Sequence, residues 1–131
     1  MKLITVAGPP SSGKTSVIAR VVEALVSEGT RIGVVKFDSI SSQDGEVFER
    51  IGVPSAVGLS GNVCPDHFYV SNVADALAWG QNGGLDLLVI ESAGLCNRCA
   101  PHIKDVLAVC VIDNLSGVHT PKKIGPMLKL A

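Results

Sequence analysis

An α/β fold, a three-layer sandwich with a mostly parallel sheet flanked by helices, follows from three features of this 131-residue sequence. Short runs rich in β-branched residues alternate with stripes of helical spacing, the pattern of strands joined by crossover helices. Two of the runs, Leu87–Ile90 and Val106–Ile112, are apolar throughout, as in strands covered on both faces. A glycine- and proline-rich turn separates the first run from the first stripe.

Taken in order, Leu3-Ile-Thr-Val6 is a strand bounded by Gly8-Pro-Pro10. Val17, Ile18, Val21, Val22, Leu25 and Val26 recur at three-and-four spacing, which predicts an amphipathic helix closed by Gly29. Arg31–Lys36 is the second strand, Glu46–Ile51 a short helix, and Pro54–Leu59 a third strand or an extended segment. Val73–Trp79 is helical, ended by Gly80 and the turn-rich Gln81-Asn-Gly-Gly84. The two continuous runs follow as strands, and Lys122–Ala131 begins a further helix. No repeat, linker or low-complexity tract interrupts the chain, so residues 1–131 read as one domain.

Composition narrows the function. Hydrophobic residues make 47% and charged residues 18%, enough apolar surface for a core and too little charge for a disordered chain. Eleven Lys and Arg against twelve Asp and Glu leave a net charge of −1, without a basic block, which excludes a non-specific nucleic-acid binder. The longest apolar run has seven residues, whereas a membrane span needs roughly 20. The first strand runs straight into glycine and proline, leaving no room for a signal peptide. Four unevenly spaced cysteines fit a reducing cytoplasm, as ligands or core residues rather than disulfides.

Gly8-Pro9-Pro10-Ser11-Ser12-Gly13-Lys14-Thr15 matches G-x-x-x-x-G-K-[ST] at every fixed position, between a predicted strand and a predicted helix. Small residues let successive backbone N–H groups curl around phosphate oxygens, and the helix N-terminus adds partial positive charge. The segment through Ser16 is therefore the candidate nucleotide loop of a P-loop NTPase. Lys14, expected at the solvent-facing mouth, would reach the β- and γ-phosphates, and the Thr15 hydroxyl would ligate Mg²⁺. The bland alternative is a chance glycine-rich turn. Pro9 stands where one branch of P-loop ATPases has a second lysine, so that branch does not apply.

Ligands of parallel sheets sit at the carboxyl ends of strands, and two acids lie there. Asp38 follows the second strand, placed to hold Mg²⁺ or orient the attacking water; a simple turn aspartate is the alternative. Glu91 ends the Leu87–Ile90 strand, placed to bind Mg²⁺ through water; a solvated glutamate is its alternative. Gly94, three residues on, suits a backbone N–H that meets the γ-phosphate and reorients on hydrolysis.

Cys64-Pro-Asp-His67 is a C-x₂-H in a turn-rich segment, and Cys96-Asn-Arg-Cys99 is a C-x₂-C just beyond Gly94. Together they offer three thiolates and an imidazole, a tetrahedral set for Zn²⁺, or for Ni²⁺ or Co²⁺ in another geometry. A redox C-x-x-C and unrelated loop cysteines are the alternatives. Cys110 reads as core packing, His102 as an alternative ligand and His119 as a loop residue.

In this order the motifs resemble the SIMIBI-class nickel-insertion GTPases, namely the hydrogenase- and urease-maturation proteins and their cobalamin-biosynthesis relatives. The resemblance rests on Gly8–Thr15, Asp38, Cys64 with His67, and Glu91-Ser-Ala-Gly94 followed by Cys96. It implies GTP and Mg²⁺ as ligands, a homodimer, nickel as cargo and a metalloenzyme as acceptor. Asp113 and Lys122-Lys-Ile-Gly-Pro126 resemble the stretch before the family's base-reading motif. Three departures stand out: Cys-Pro-Asp-His is one residue longer than Cys-Pro-His, Cys99 is additional, and the guanine-reading Asn/Thr-Lys-x-Asp is missing. Only Lys36-Phe-Asp38 matches its tail, on the wrong strand. The expectation is a nucleotide-binding domain without its base-recognition part, which leaves GTP against ATP open. An ATP-dependent small-molecule kinase is the rival, although Arg20, Arg31, Arg50 and Arg98 form no cluster for a phosphate lid.

Overall fold

A computed structural model describes residues 1–38, 44–63, 65–92, 103–113, 118–119 and 131. Among these residues, five strands and three helices follow in order: β1 (Lys2–Ala7), α1 (Lys14–Ser27), β2 (Ile32–Asp38), α2 (Gly45–Ile51), β3 (Ser55–Leu59), α3 (Pro65–Asn82), β4 (Leu87–Ser92) and β5 (Leu107–Cys110). The strands form one sheet in the order β3-β2-β4-β1-β5, and every pairing is parallel. The α/β three-layer architecture is thus the one the sequence predicts. Among the described residues no helix is long and apolar enough to cross a membrane.

Alternation along the central strands sorts the core into two layers. Val6, Ile32, Val34, Leu87 and Val89 pack beneath Ile18 and Val22 of α1 and Phe48 of α2. On the other face Val35, Phe37, Leu88 and Ile90 meet Tyr69 and Ala76 of α3. Phe37 stands edge-on to both Phe68 and Tyr69, with ring centroids 5.8 and 5.4 Å away, a favoured geometry for aromatic quadrupoles.

α1 ends as its glycine foretells. Gly29 takes φ 85°, its N–H reaches the carbonyl of Val26, and the Thr30 N–H reaches that of Leu25. This Schellman arrangement satisfies carbonyls that the last turn would otherwise leave bare.

Three expectations need correction. Gly80 does not end a helix: α3 runs from Pro65 to Asn82, and Gly80 lies on its buried side. A Cβ at Gly80 would come within 2.7 Å of the Met1 sulfur, so the glycine permits close packing there. His67 accordingly belongs to the first turn of a helix rather than to a turn-rich loop. Finally, the run ending in Ile112 is not covered on both faces. β5 is an edge strand only four residues long, and Leu107 is 61% exposed beside Val17 and Val21 of α1. A continuous apolar run reports a paucity of polar residues, which an edge strand also satisfies when helices flank it.

Candidate functional site

The carboxyl edge of the sheet opens into a polar cavity of about 520 Å³, walled by residues 10–16 and by Lys36, Asp38, Asp44 and Glu91. The turn from β1 to α1 forms one side. Gly8 must be a glycine, since a Cβ there would lie 2.1 Å from the carbonyl oxygen of Val111, the residue after β5. Ser11 and Gly13 adopt left-handed backbones, φ 59° and 89°, which turn the loop over the first turn of α1. That turn carries no acidic residue and no side-chain cap, so its N–H groups remain for an anion. Ser12 is buried, and its hydroxyl has no hydrogen-bond partner among the described residues.

Lys14 is buried rather than solvent-facing, which corrects the expectation from sequence. Its ammonium folds back and donates to the carbonyls of Gly8 (3.1 Å) and Pro9 (2.7 Å), bracing the loop from within. Burial lowers its pKa, and Glu91 opposes the effect. Pro9, Pro10 and Ser16 lie on the more open side of the loop.

Glu91 is 2% exposed and sits between Val6 of β1 and Lys36 of β2 in the strand register. The Thr15 hydroxyl bridges to both of its carboxylate oxygens (3.0 and 3.1 Å) and to Oδ2 of Asp44 (3.2 Å). Burial raises the Glu91 pKa against the pull of Lys36 and Thr15. Hydroxyl and carboxylate oxygens of this kind suit Mg²⁺, which takes one or two protein carboxylates and fills its remaining positions with phosphate and water. Asp38, the last residue of β2, faces the same cavity.

Two residues here have no site role in the sequence analysis. Lys36 projects from β2 on the same face as Val34 and Asp38, and its ammonium contacts three acids. It hydrogen-bonds Asp44 and lies 3.6 Å from Asp38 Oδ2 and 3.7 Å from Glu91 Oε1. Burial lowers its pKa, but the Asp44 bond and the surrounding carboxylates outweigh that and leave it raised. The signal existed: Lys36 ends the apolar run Ile32–Val35 just as Glu91 ends Leu87–Ile90. Asp44 carried no comparable mark; it precedes α2 and reaches Thr15 across 29 positions of sequence.

Cys64, Cys96, Cys99 and Gly94 lie outside the described residues, as does His102. His67 is exposed at the start of α3, and among the described residues no group of three or more His, Cys, Asp or Glu converges to hold a metal. Cys110 is a half-buried free thiol at the end of β5, and burial pushes its pKa up.

A parallel sheet, a glycine-rich loop at the end of its β1 strand, and Lys14 with Thr15 opening α1 define a P-loop nucleotide-binding domain. More narrowly, the chain belongs to the CobW/HypB/UreG family, whose nucleotide-binding-domain model matches residues 2–122. It is 46% identical over its whole length to an uncharacterised protein of Methanocaldococcus jannaschii, covering 56% of that protein. It is 34% identical to a urease accessory protein UreG of Methylobacterium radiotolerans, covering 94% of this chain and 64% of that one. The chain thus spans between about half and two thirds of the length of these relatives. Among solved structures, HypB from Helicobacter pylori in complex with nickel superposes with a TM-score of 0.75 at 18% identity, covering 100% of this chain and 61% of that one. The signal recognition particle receptor FtsY of Elizabethkingia anophelis gives 0.65 at 19% identity, covering 99% and 47%, a likeness of fold alone.

Proposed function

We propose that this domain binds and hydrolyses GTP with Mg²⁺ and couples its nucleotide state to the delivery of a transition metal, nickel, during metalloenzyme maturation. The observation that carries the nucleotide part is the convergence of the Thr15 hydroxyl, Glu91 and Asp44 beside Lys14, at the mouth of the glycine-rich loop. Family membership supports the metal part.

In this account the backbone N–H groups between Ser11 and Ser16 cradle the phosphates, while the Lys14 ammonium leaves the loop carbonyls for the β- and γ-phosphate oxygens. Thr15, Asp38 and Glu91 hold Mg²⁺, directly or through water. Held by these residues, Mg²⁺ would supply positive charge against the negative charge that develops at the phosphates. Asp38 orients the water that attacks the γ-phosphorus as the bond to the β-bridging oxygen breaks, giving GDP and phosphate. Gly94 follows the γ-phosphate and relaxes on its loss. The GTP preference comes from the family, because no base-reading motif stands in these 131 residues.

Cys64, His67, Cys96 and Cys99 are the proposed donors for the cargo, within one chain or across a homodimer joined at its switch face. A cytoplasmic location and a metalloenzyme acceptor complete the reading. Cys96 and Cys99 follow Gly94 by two and five positions, so movement of Gly94 would displace their thiolates. Ni²⁺ titration in the presence of Mg²⁺ with a non-hydrolysable GTP analogue, and then with GDP, tests the coupling. The expected difference in Ni²⁺ affinity is about 5- to 150-fold, roughly 1–3 kcal/mol. Equal affinities in the two states would contradict it.

A further inference from the structure

Three charged side chains are buried among the described residues: Lys14, Lys36 and Glu91. The proposed reaction uses the first and last. Lys36 has no place in it, although burying an ammonium on a central strand costs several kcal/mol unless it is paired. A methionine there would pack beside Val34 without that penalty.

The contacts of Lys36 are selective. Its ammonium hydrogen-bonds Asp44 and lies 3.6 Å from Asp38 and 3.7 Å from Glu91; Asp44 and Glu91 also accept from the Thr15 hydroxyl, and Asp38 lines the same cavity. One flexible cation therefore lies against all three carboxylates of the cavity that also holds the phosphate loop. Charge counting explains why this matters. With Lys14 and Lys36 present, the three carboxylates leave the cavity at about −1; without Lys36 it would be about −2. The more negative cavity would attract a bare divalent cation and repel a triphosphate. Lysine suits a movable role because its ammonium is a point charge on a four-carbon stem.

We infer that Lys36 is a resident counter-ion that makes divalent-cation binding conditional on nucleotide. Its ammonium holds Asp38, Asp44 and Glu91 in the nucleotide-free protein and turns to the terminal phosphate when a triphosphate enters. Lys36 thereby becomes a specificity-determining residue for tri- over diphosphate. This rests on the nucleotide-site reading above, so the test has one arm that needs no nucleotide.

In that arm, Mn²⁺ is titrated into the nucleotide-free protein and followed by electron paramagnetic resonance. Mn²⁺ prefers oxygen donors, which keeps the cysteines out of the measurement. Lys36→Met is expected to bind Mn²⁺ at least tenfold more tightly than the parent, and Lys36→Arg, which keeps the charge, within threefold of it. In the second arm, calorimetry with Mg²⁺ compares a non-hydrolysable GTP analogue with GDP. The ratio of the two affinities is expected to fall at least tenfold in Lys36→Met and to survive in Lys36→Arg. Lys36→Gln is the substitute if the methionine variant does not fold. Unchanged Mn²⁺ affinity on removing the charge would overturn the counter-ion role, and an unchanged ratio would overturn the transfer to phosphate. A parent that binds no nucleotide would sink the nucleotide-site reading and leave the Mn²⁺ arm to decide the first half by itself.

Discussion

β2 and β4 present two chemically opposite faces at their carboxyl ends. Toward α1 the last rungs are Lys36, Asp38 and Glu91; toward α3 they are Phe37 and Ile90, sealed by Phe68 and Tyr69. Neighbouring residues on one strand thus serve a charged cavity and an aromatic core, because successive side chains point to opposite sides. A site built this way inherits the rigidity of the central strands. It also concentrates its electrostatic cost on one face, while the other supplies burial.

Several substitutions would break or sharpen this contrast. Leu88 is fully buried on the α3 side. Leu88→Ala is expected to lower stability by about 2–5 kcal/mol in urea unfolding, while Mg²⁺–nucleotide affinity stays within threefold. A parallel loss of affinity in the folded protein would show that the faces are not separable. On the opposite side, Gly8→Ala places a methyl against the Val111 carbonyl. It should cost about 1–3 kcal/mol through loop displacement and weaken nucleotide binding with it, since the displaced segment is the phosphate cradle.

Tyr69 tests whether the α3 face tolerates polarity. Its hydroxyl is buried with no hydrogen-bond partner among the described residues, and desolvation pushes the phenol up to about 12. Tyr69→Phe should be neutral or stabilising by up to about 2 kcal/mol, because an unmade hydrogen bond is removed. A loss of 1 kcal/mol or more would reveal a partner for that hydroxyl.

The smallest effect lies away from both faces. Arg31 donates to Asp86 from its backbone and from its guanidinium, holding the carboxyl at about 2. A depressed carboxyl contributes stability above its ordinary value near 3.8 and loses it as pH falls toward about 2. Asp86→Asn should therefore be slightly less stable than the parent above pH 5 and converge on it as pH falls toward about 2, which flattens the acid-side decline. Because the pair is exposed, 0.5 M salt should erase most of the difference.

The sequence carried the fold well where local rules act alone. The α1 stripe, its Gly29 ending and the apolar cores of β2 and β4 each follow from spacing within a few residues. It carried α3 poorly. Tyr69, Val73, Ala76 and Gly80 recur at helical spacing, yet the stripe mixes an aromatic with small residues, and Gly80 looks like a stop until Met1 is known to fill its space. The strand order is set by pairing between distant segments and leaves no local trace. At the site, the loop and Glu91 were legible because motif and strand end coincide. Lys36 bore the same strand-end signal as Glu91. A lysine closing a strand also fits a solvent-facing exit, and only the cross-strand register puts Lys36 opposite Glu91. Asp44 depends wholly on where the chain returns after β2.

The central claim is that the carboxyl edge of the α1 face holds Mg²⁺ and a nucleoside triphosphate through the loop at Gly8–Thr15. Calorimetric titration of Mg²⁺ with a non-hydrolysable GTP analogue into the parent and into Lys14→Ala tests it most directly. The account predicts saturable one-site binding in the parent and a loss of about thirtyfold or more, about 2 kcal/mol, in the variant, with the fold retained by circular dichroism. Equal affinity in the two proteins would contradict it.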